Sequence, residues 1–422
     1  MMKVELLSLP EGFEYRLDLR HHVTPKLLKE EPIHRWFWFP HSFSPSLLDE
    51  FLKEFPLTED STILDPFVGA GTAVLRAHQL KYNAVGCDIS PLSIFVTKTK
   101  LQHYDVEWVK SKINRFQNNY AGINVSLNNE SFIELWENTE RFRKAFTKKE
   151  WEKIANLNAW IQSQTESKPE QDLLTLAMLK TQQLISRAVP DGGWFRWIEK
   201  PDQSNNIYSI FFNELNSMLR EISYKNQNSE KNWQVFQADS RNLSGFEKDI
   251  DLIFTSPPYP NRHDYTRVFH LTLLGLGLSE EDILNLRHKS FRSHVEAQPQ
   301  QVIDFDVTEM SPALSDCLSQ FPANKDKRIP KMIKGYFEDL AISLISFHKL
   351  LKNTGKVVLV VGNVRHQGVM VPVDEIIVEI AKHIGFVLGK AWVARLRGNS
   401  AQQMKLYGKQ PSRETIVILF KN

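Results

Sequence analysis

Cysteine is scarce in this chain of 422 residues, which contains only Cys87 and Cys317. Two cysteines cannot form the disulfide framework that stabilises many small secreted proteins, and so few are typical of a reducing compartment. Neither belongs to a CxxC motif or to a Cys/His pattern with the spacing of a structural zinc site. The sequence therefore predicts a cytoplasmic protein that needs no disulfide and no bound metal.

Long apolar runs and an excess of one charge are also missing. No window reaches about 18 uninterrupted apolar residues, and the N-terminus lacks an apolar segment of signal-peptide length, so no membrane association is expected. The 52 basic and 50 acidic residues leave a net charge of +2, so the global charge does not indicate a nucleic-acid binder. The composition, 42% hydrophobic and 24% charged, is that of a globular protein.

Seven short apolar segments have the pattern of buried strands, and several are followed by turn residues and a helical pattern. Strands that are apolar on both faces and alternate with helices predict an α/β fold with a mainly parallel sheet, covered on both sides. The last two segments could form an antiparallel hairpin at the edge of that sheet. The predicted strands are residues 61–64, 83–87, 233–237, 251–255, 356–362, 387–395 and 414–420.

The stretch from 101 to 232 differs from the rest of the chain. It is polar, contains no convincing strand pattern, and shows helical spacing of apolar residues at 171–189 and 206–222. We interpret it as a large, mostly helical insertion that separates two parts of one domain, residues 1–100 and 233–422. The second part contains an irregular segment at about 280–330, before a helix predicted at about 331–352.

A glycine-rich turn follows the first predicted strand in the segment STILDPFVGAGT. The strand ends at Asp65, the turn contains Gly69 and Gly71, a helix is expected from Thr72, and Asp88 ends the next strand. Glycines allow close approach of a ligand, and an acid at the second strand end can bind ribose hydroxyls. Because a carboxylate in the turn would repel a pyrophosphate, the pattern favours a ligand with a cationic amino-acid end, such as S-adenosylmethionine. The alternative is an ordinary strand-to-helix turn that Asp65 caps.

A second motif, TSPPY, follows the strand at 251–255. Two consecutive prolines, Pro257 and Pro258, remove two amide donors and hold the carbonyls of the turn rigidly. Ser256 and the Pro257 carbonyl could then accept hydrogen bonds from an amino group on a base, and Tyr259 could stack on that base. The alternative is that the prolines merely end a strand and that Tyr259 belongs to the core.

Taken together, these residues resemble the amino-group DNA methyltransferases, which use S-adenosylmethionine to methylate adenine N6 or cytosine N4. The family's cofactor motif DPF-x-G-x-G-T stands here as Asp65 to Thr72, and its catalytic motif [DNS]-PP-[YFW] stands as Ser256 to Tyr259. The resemblance covers about 200 residues. It implies a Rossmann-like methyltransferase fold with a C-terminal antiparallel hairpin, whereas the position of the large helical insertion, between the second and third strands, departs from several members of the family. The serine form of the catalytic motif resembles the cytosine-N4 branch.

The resemblance also implies roles for single residues. Asp88 occupies the position that binds the ribose, Asp239 resembles the acid that contacts the adenine, and the segment from Phe39 to Pro45 resembles a motif that packs around the methionine end. The C-terminal segment from 395 to 420 resembles the family's closing hairpin. The cofactor-binding residues implied are Ser44, Asp65, Pro66, Phe67, Gly69, Gly71, Thr72, Asp88 and Asp239, and the catalytic residues are Ser256, Pro257, Pro258 and Tyr259.

The function predicted is site-specific methylation of double-stranded DNA at cytosine N4, with a cognate restriction endonuclease as a partner. Cytosine-C5 enzymes are disfavoured because they need a Pro-Cys nucleophile, whereas Cys87 follows Gly86 and Cys317 follows Asp316. The alternatives are an adenine-N6 enzyme, an enzyme that methylates RNA bases, and a silent subunit that binds S-adenosylmethionine.

Several segments and residues are candidates for contacts to DNA. The insertion is a candidate recognition region, and its PDGGWFRWIEK segment could insert into DNA or dock the insertion on the core. A solvated loop histidine is favoured over a proton acceptor at His263. Three cations are candidates for phosphate contacts: Arg287, Lys289 and Arg292.

Overall fold

The computed structural model describes residues 8–40, 42–119, 130–164, 166–191, 194–222, 232–246, 249–397 and 411–422. His41 and residues 398–410, which belong to two of the predicted motifs, lie outside the described residues.

A sheet of eight strands forms the centre of the molecule, in the order β1-β11-β12-β8-β7-β2-β3-β6. Only β12 runs against the other strands of this sheet, since it is antiparallel to both β11 and β8 while the remaining pairs are parallel. The strands are β1 (Phe13–Tyr15), β2 (Thr62–Asp65), β3 (Asn83–Asp88), β6 (Trp233–Gln237), β7 (Ile250–Thr255), β8 (Leu351–Gly362), β11 (Phe386–Arg397) and β12 (Ser412–Lys421).

Two small antiparallel hairpins accompany the large sheet. One is formed by β4 (Ala188–Asp191) and β5 (Trp194–Trp197), inside the insertion, and the other by β9 (Val364–His366) and β10 (Val369–Val371).

Sixteen α-helices have their bounds in the described part of the chain. They are α1 (Ser46–Glu54), α2 (Thr72–Gln79), α3 (Pro91–Leu101), α4 (Val106–Asn119), α5 (Glu130–Asn138), α6 (Glu140–Ala145), α7 (Lys148–Ser163), α8 (Lys168–Ile185), α9 (Ile207–Ile222), α10 (Tyr265–Val268), α11 (His270–Gly275), α12 (Glu280–Lys289), α13 (Val307–Met310), α14 (Pro312–Ser319), α15 (Arg328–Leu350) and α16 (Val373–Ile384).

The structure confirms the mainly parallel α/β sheet and all seven strands predicted from the sequence. The C-terminal hairpin is antiparallel as expected, but it does not form the edge, because the short strand β1 pairs with β11 beyond it. The expectation of no strand between 101 and 232 is wrong at the β4–β5 hairpin. The segment 280–330 is less irregular than expected, since it contains α12, α13 and α14.

The insertion packs on one face of the sheet. Its buried residues, such as Trp151, Leu176 and Phe211, belong to the same continuous hydrophobic core as Leu252 and Val358 of the sheet. A second core on the other face is built mainly from α15 and α16. The insertion therefore shares its core with the sheet. None of the described helices combines the length and the apolar character that crossing a membrane requires.

The neighbouring strands β2 and β7 mark the point where the strand order changes direction. From β2 the sheet continues through β3 to β6 on one side, and from β7 through β8 on the other. In open α/β sheets such a point leaves a crevice at the carboxyl ends of the strands, where ligands bind. The ends of β2 and β7 bring Asp65 beside Thr255, the first residue of the TSPPY motif.

Candidate active site

Asp65 lies at the bottom of this cleft and is almost completely buried, with 3% of its surface exposed. Its Oδ1 accepts a hydrogen bond from Thr255 Oγ1 at 2.6 Å and another from the backbone N–H of Phe67 at 3.1 Å. The pKa of this carboxyl group is raised to about 7, chiefly by burial and also by the nearby Asp88, although the two hydrogen bonds lower it. No cation among the described residues contributes to this pKa.

The glycine turn is held by Asp88, whose two oxygens accept from the backbone N–H groups of Gly69 at 3.0 Å and Ser90 at 2.9 Å. Gly71 has a φ of +80°, and a Cβ added there would lie 2.8 Å from the Thr97 side chain. Both the backbone conformation and the close approach therefore require glycine at this position. The helix α2 begins at Thr72, as predicted, with its N-terminus at the cleft.

Asp239 lies at another part of the cleft and is held by Arg241. The guanidinium donates from Nε to Oδ1 at 2.9 Å and from Nη2 to Oδ2 at 2.7 Å. Arg241 is itself buried and pairs with the buried Asp339 at 3.0 Å. Its guanidinium also lies 5.8 Å from the ring centre of Phe291, which packs edge-on against Phe67. This end of the cleft therefore combines two aromatic rings with an oriented carboxylate.

The catalytic motif places Ser256 and Tyr259 in different surroundings. The Ser256 hydroxyl donates to the Val360 carbonyl on β8 at 2.9 Å, and Ser256 lines the cleft. Tyr259 is 5% exposed and packs against Gly362, where an added Cβ would lie 3.1 Å from its ring. Burial raises the pKa of Tyr259, and the nearby Glu414 raises it further. The Tyr259 side chain thus lies in the protein interior in this structure.

The segment after TSPPY forms a further wall of the cleft. Asp264 caps α10 by accepting from the backbone N–H groups of Thr266 and Arg267, and Tyr265 lies near enough to Asp88 that this carboxylate raises the pKa of its phenol, which burial raises most. His263 packs edge-on against Tyr265 and is only 5% exposed. The expectation that His263 is a solvated loop residue is therefore wrong, because α10 folds back against the cleft.

Three ligand-type side chains near this wall, Asp264, His294 and Glu296, lie within 4.8 Å of one another. The Asp264 carboxylate is 2.9 Å from Arg287 Nε and 3.3 Å from Arg267 Nε, and Glu296 also pairs with Arg267. We assign no metal to this group, because two guanidinium groups already neutralise its carboxylates.

The cleft brings together nine of the thirteen residues singled out from the sequence. These are Asp65, Pro66, Phe67, Gly69, Thr72, Asp88, Asp239, Ser256 and Pro258. The other four do not line it. Gly71 and Pro257 are next to lining residues in the chain, and Tyr259 points into the core. The Ser44 hydroxyl lies 2.8 Å from the Ser46 hydroxyl at the start of α1, whereas Ser42 lines the cleft and contacts Thr72.

Comparisons with known proteins show what the chain is similar to. Residues 21–97 match the family model described as DNA methylase. The chain is 29% identical to the Type II methyltransferase M.AvaI of Nostoc sp., over 97% of this chain and 92% of that protein. It is 28% identical to the Type II methyltransferase M.BsoBI of Geobacillus stearothermophilus, over 99% of this chain and 92% of that protein.

The family model and these two relatives support an amino-group DNA methyltransferase. S-adenosylmethionine is therefore the methyl donor of this methyltransferase, and DNA is its substrate. A solved structure, TrmN from Thermus thermophilus, aligns with 90% of the chain and 49% of TrmN at 11% identity and a TM-score of 0.27, which is too low to bear on function.

Several residues that matter to the methyltransferase were not found from the sequence. Lys100 is buried on α3, and its Nζ donates to the carbonyls of Ala70 at 2.8 Å and His34 at 2.9 Å, so it ties the glycine turn to the N-terminal segment. Burial lowers the pKa of Lys100 to about 7. Thr255 donates a hydrogen bond to Asp65, and Arg241 donates hydrogen bonds to Asp239, so these two residues also hold groups of the cleft in place. No local signal marks Lys100, because its partners are carbonyls that any residue could supply.

The three cations proposed for phosphate contacts differ in their surroundings. Arg287 pairs with Asp264, and Arg292 pairs with Asp339 at 2.6 Å and with Glu338 at 2.7 Å. Both guanidinium groups are mostly buried, so these ion pairs hold α12 and α15 in place. Lys289 alone is exposed. The structure therefore does not support phosphate contacts by Arg287 and Arg292.

Proposed function

We propose that this methyltransferase methylates the N4 amino group of cytosine at specific sites in double-stranded DNA. The observation that carries the proposal is the serine of the TSPPY turn, placed at the end of β7 beside the buried Asp65. The serine form is the one that resembles the cytosine-N4 branch, whereas Asp or Asn is more typical of adenine-N6 enzymes.

The cleft fits S-adenosylmethionine in its charge pattern. Asp65 is a buried carboxylate that no described cation neutralises, so it can receive the ammonium group of the methionine end. We assign Asp88 to the ribose, and Asp239 with the rings of Phe67 and Phe291 to the adenine, since all four residues line the same cleft. When bound, the cofactor supplies an electrophilic sulfonium methyl group. We assign Pro66, Gly69, Gly71 and Thr72 to shaping this site through their backbone.

Ser256 is oriented to accept a hydrogen bond. Its own proton is donated to the Val360 carbonyl, and Oγ, which also forms a hydrogen bond with Tyr259, has two lone pairs, so that one of them can accept from an amino N–H of the base. A second acceptor, the Pro257 carbonyl, would draw the amino nitrogen away from planarity and expose its lone pair for attack on the methyl group. No covalent intermediate with the protein is needed, and the extra proton leaves after nitrogen has become positively charged.

Tyr259 requires a rearrangement to stack on a base, because its ring now packs under Gly362. We keep Tyr259 and Pro258 in the proposed catalytic set. Binding of DNA would have to turn the tyrosine ring into the cleft or place the base at its edge.

We further propose that the insertion at 101–232 contributes to DNA recognition and that a cognate restriction endonuclease accompanies the enzyme. The supporting observation is that the insertion contacts the cleft wall, since β5 packs against α10 and α8 packs against α11. Cytoplasmic location is part of the proposal, and the two buried free cysteines are compatible with it.

The test is methyl transfer from labelled S-adenosylmethionine to unmethylated duplex DNA or to total RNA, followed by digestion to nucleosides and identification of the labelled product by mass. We expect N4-methylcytosine from DNA. Labelled N6-methyladenine would overturn the assignment of the base, and label only in RNA would overturn the assignment of the substrate. Cofactor binding without any transfer would indicate the silent subunit.

A further inference from the structure

The β4–β5 hairpin of the insertion has two different faces. Side chains alternate along β5, so Trp194 and Arg196 share one face while Phe195 and Trp197 share the other. Phe195 is buried, whereas Trp197 is 39% exposed. The hairpin register pairs Asp191 with Trp194, at the opposite end of the hairpin from the pair of Ala188 and Trp197.

Two guanidinium groups lie over the Trp194 ring. The Arg141 Cζ is 5.1 Å from the ring centre, and the Arg267 Cζ is 5.4 Å from it. Both distances are within the range of a cation–π interaction, which is attractive because the ring face is electron-rich. Arg141 belongs to α6 of the insertion, while Arg267 belongs to α10, six to nine residues after Tyr259 of the catalytic turn.

Arg267 connects Trp194 to the wall of the active-site cleft. Its side chain pairs with Asp264, the capping residue of α10, and with Glu296. Asp264, Tyr265 and Thr266 line the cleft. The Trp194 ring is therefore in contact with the side chain that pairs with the capping residue of α10.

Arg141 makes a second connection from the insertion to the same part of the chain. Arg141 Nη1 lies 3.1 Å from His270 Nε2 on α11. His270 Nε2 in turn lies 2.8 Å from Glu280 Oε2 on α12. His270 is 1% exposed. Trp194 thus contacts both Arg141 of the insertion and Arg267 of α10, the helix that follows the catalytic turn.

We propose that Trp194 is a positioning residue for DNA methylation, which fixes α10 of the cleft wall relative to the insertion. The proposal rests on the proposed role of the insertion in holding DNA. If DNA is held by the insertion, the target base reaches the cofactor in the right place only when insertion and cleft keep a fixed relation, and a displacement of about 1 Å can cost about 100-fold in rate. Trp194 therefore docks the insertion and does not insert into DNA.

The experiment compares Trp194→Ala, Trp194→Phe and a matched control, Trp233→Ala, with the wild-type enzyme. Trp233 is also half-buried, and it lies on β6 at the far edge of the sheet. For each variant kcat and KM for duplex DNA, the Kd for S-adenosylmethionine, the melting temperature, and the amide hydrogen exchange of residues 264–270 are measured.

We expect Trp194→Ala to lower kcat for duplex DNA by about 10- to 100-fold, with the cofactor Kd changed less than about twofold. Phenylalanine keeps a ring face for the two guanidinium groups, so Trp194→Phe should recover most of the lost kcat. Amide exchange at 264–270 should be faster in Trp194→Ala and unchanged in Trp233→Ala. Wild-type kcat in Trp194→Ala would overturn the proposal, as would an equal loss of kcat in a folded Trp233→Ala.

The exchange measurement needs no DNA, so it separates two kinds of failure. If the wild-type enzyme does not methylate DNA, the proposed function fails, while faster exchange at 264–270 in Trp194→Ala still supports the positioning of α10 by Trp194. If the enzyme is active and exchange at 264–270 is the same in Trp194→Ala as in the wild type, only the role of Trp194 is wrong.

Discussion

The affinity for S-adenosylmethionine should depend on pH through Asp65. Only the ionised carboxylate attracts the ammonium group of the cofactor, and burial raises the pKa of Asp65 in the free protein to about 7. At pH 6 about a tenth of the molecules carry the carboxylate, and at pH 8 about nine tenths do. We therefore expect cofactor affinity to rise about tenfold from pH 6 to 8 on this account alone.

A second group limits the rise at higher pH. This group is the α-amino group of the cofactor, which loses its positive charge above its own pKa and is then no longer attracted by Asp65. The affinity should therefore rise through pH 7 and fall only where this amino group loses its proton. The assay is isothermal titration calorimetry with the cofactor from pH 5.5 to 8.5.

Two variants test whether Asp65 causes the acid side of this profile. Asp65→Asn removes the titrating group, so affinity should be low and should no longer rise from pH 6 to 7. Thr255→Val removes the hydrogen bond that lowers the pKa of Asp65, so the rise should move to higher pH. If the cofactor affinity of Asp65→Asn rises from pH 6 to 7 as much as that of the wild type, the reasoning is refuted.

The same carboxylate should make the free protein less stable at neutral pH. Because the folded pKa is raised from 3.8 to about 7, the unfolded chain ionises first and the free energy of unfolding falls as the pH rises through this interval. The full effect is about 4 kcal/mol as an upper bound. At pH 8, Asp65→Asn should therefore melt at a higher temperature than the wild type while binding the cofactor weakly. A lower melting temperature would contradict this.

Three further variants test other parts of the site. Ser256→Ala should lower kcat by about 10- to 100-fold with little change in cofactor Kd, since it removes an acceptor for the base and no cofactor contact; unchanged turnover would exclude the assigned role. Gly71→Ala should destabilise the protein by about 2–4 kcal/mol and weaken cofactor binding, because of the positive φ and the approach to Thr97. Gly245→Ala is its control, as nothing lies within 4 Å of the added Cβ, and equal melting temperatures for the two would speak against the steric argument. Arg241→Gln should lower the free energy of unfolding by about 1–3 kcal/mol, because the buried Asp339 loses one of its two arginine partners while Arg292 still pairs with it, and an unchanged free energy of unfolding in urea denaturation would show that the Arg241 ion pair contributes nothing to stability.

The parts of the molecule that the sequence predicted well have strong local signals. Buried parallel strands are continuous apolar segments, and the turns at Gly69 and Gly71 and at Pro257 and Pro258 limit the backbone within a few residues. The cofactor cleft could be placed for that reason, since the rule for parallel sheets puts both turns at the same edge.

The parts that were missed depend on contacts between distant residues. Arg287 and Arg292 resemble free surface cations in the sequence, but Asp264 and Asp339 neutralise them. The β4–β5 hairpin contains a proline at 190, lies in a polar stretch, and has no apolar alternation, so it was not predicted as strand. Its antiparallel pairing and the two arginines on Trp194 are visible only after folding.

The position of β2 in the sheet has a consequence for how the chain folds. Its Ile63 pairs with Leu252 of β7, and the insertion accounts for most of the chain between them, while Phe13 of β1 pairs with Ala391 of β11. One edge of β2 is covered by the nearby β3, but the other stays open during synthesis until β7 has been made. Distant strand pairs form slowly because a long loop must close first, and an open apolar strand edge invites aggregation. We therefore expect nascent chains that stop before residue 250 to depend on chaperones, and the full chain to refold slowly from denaturant.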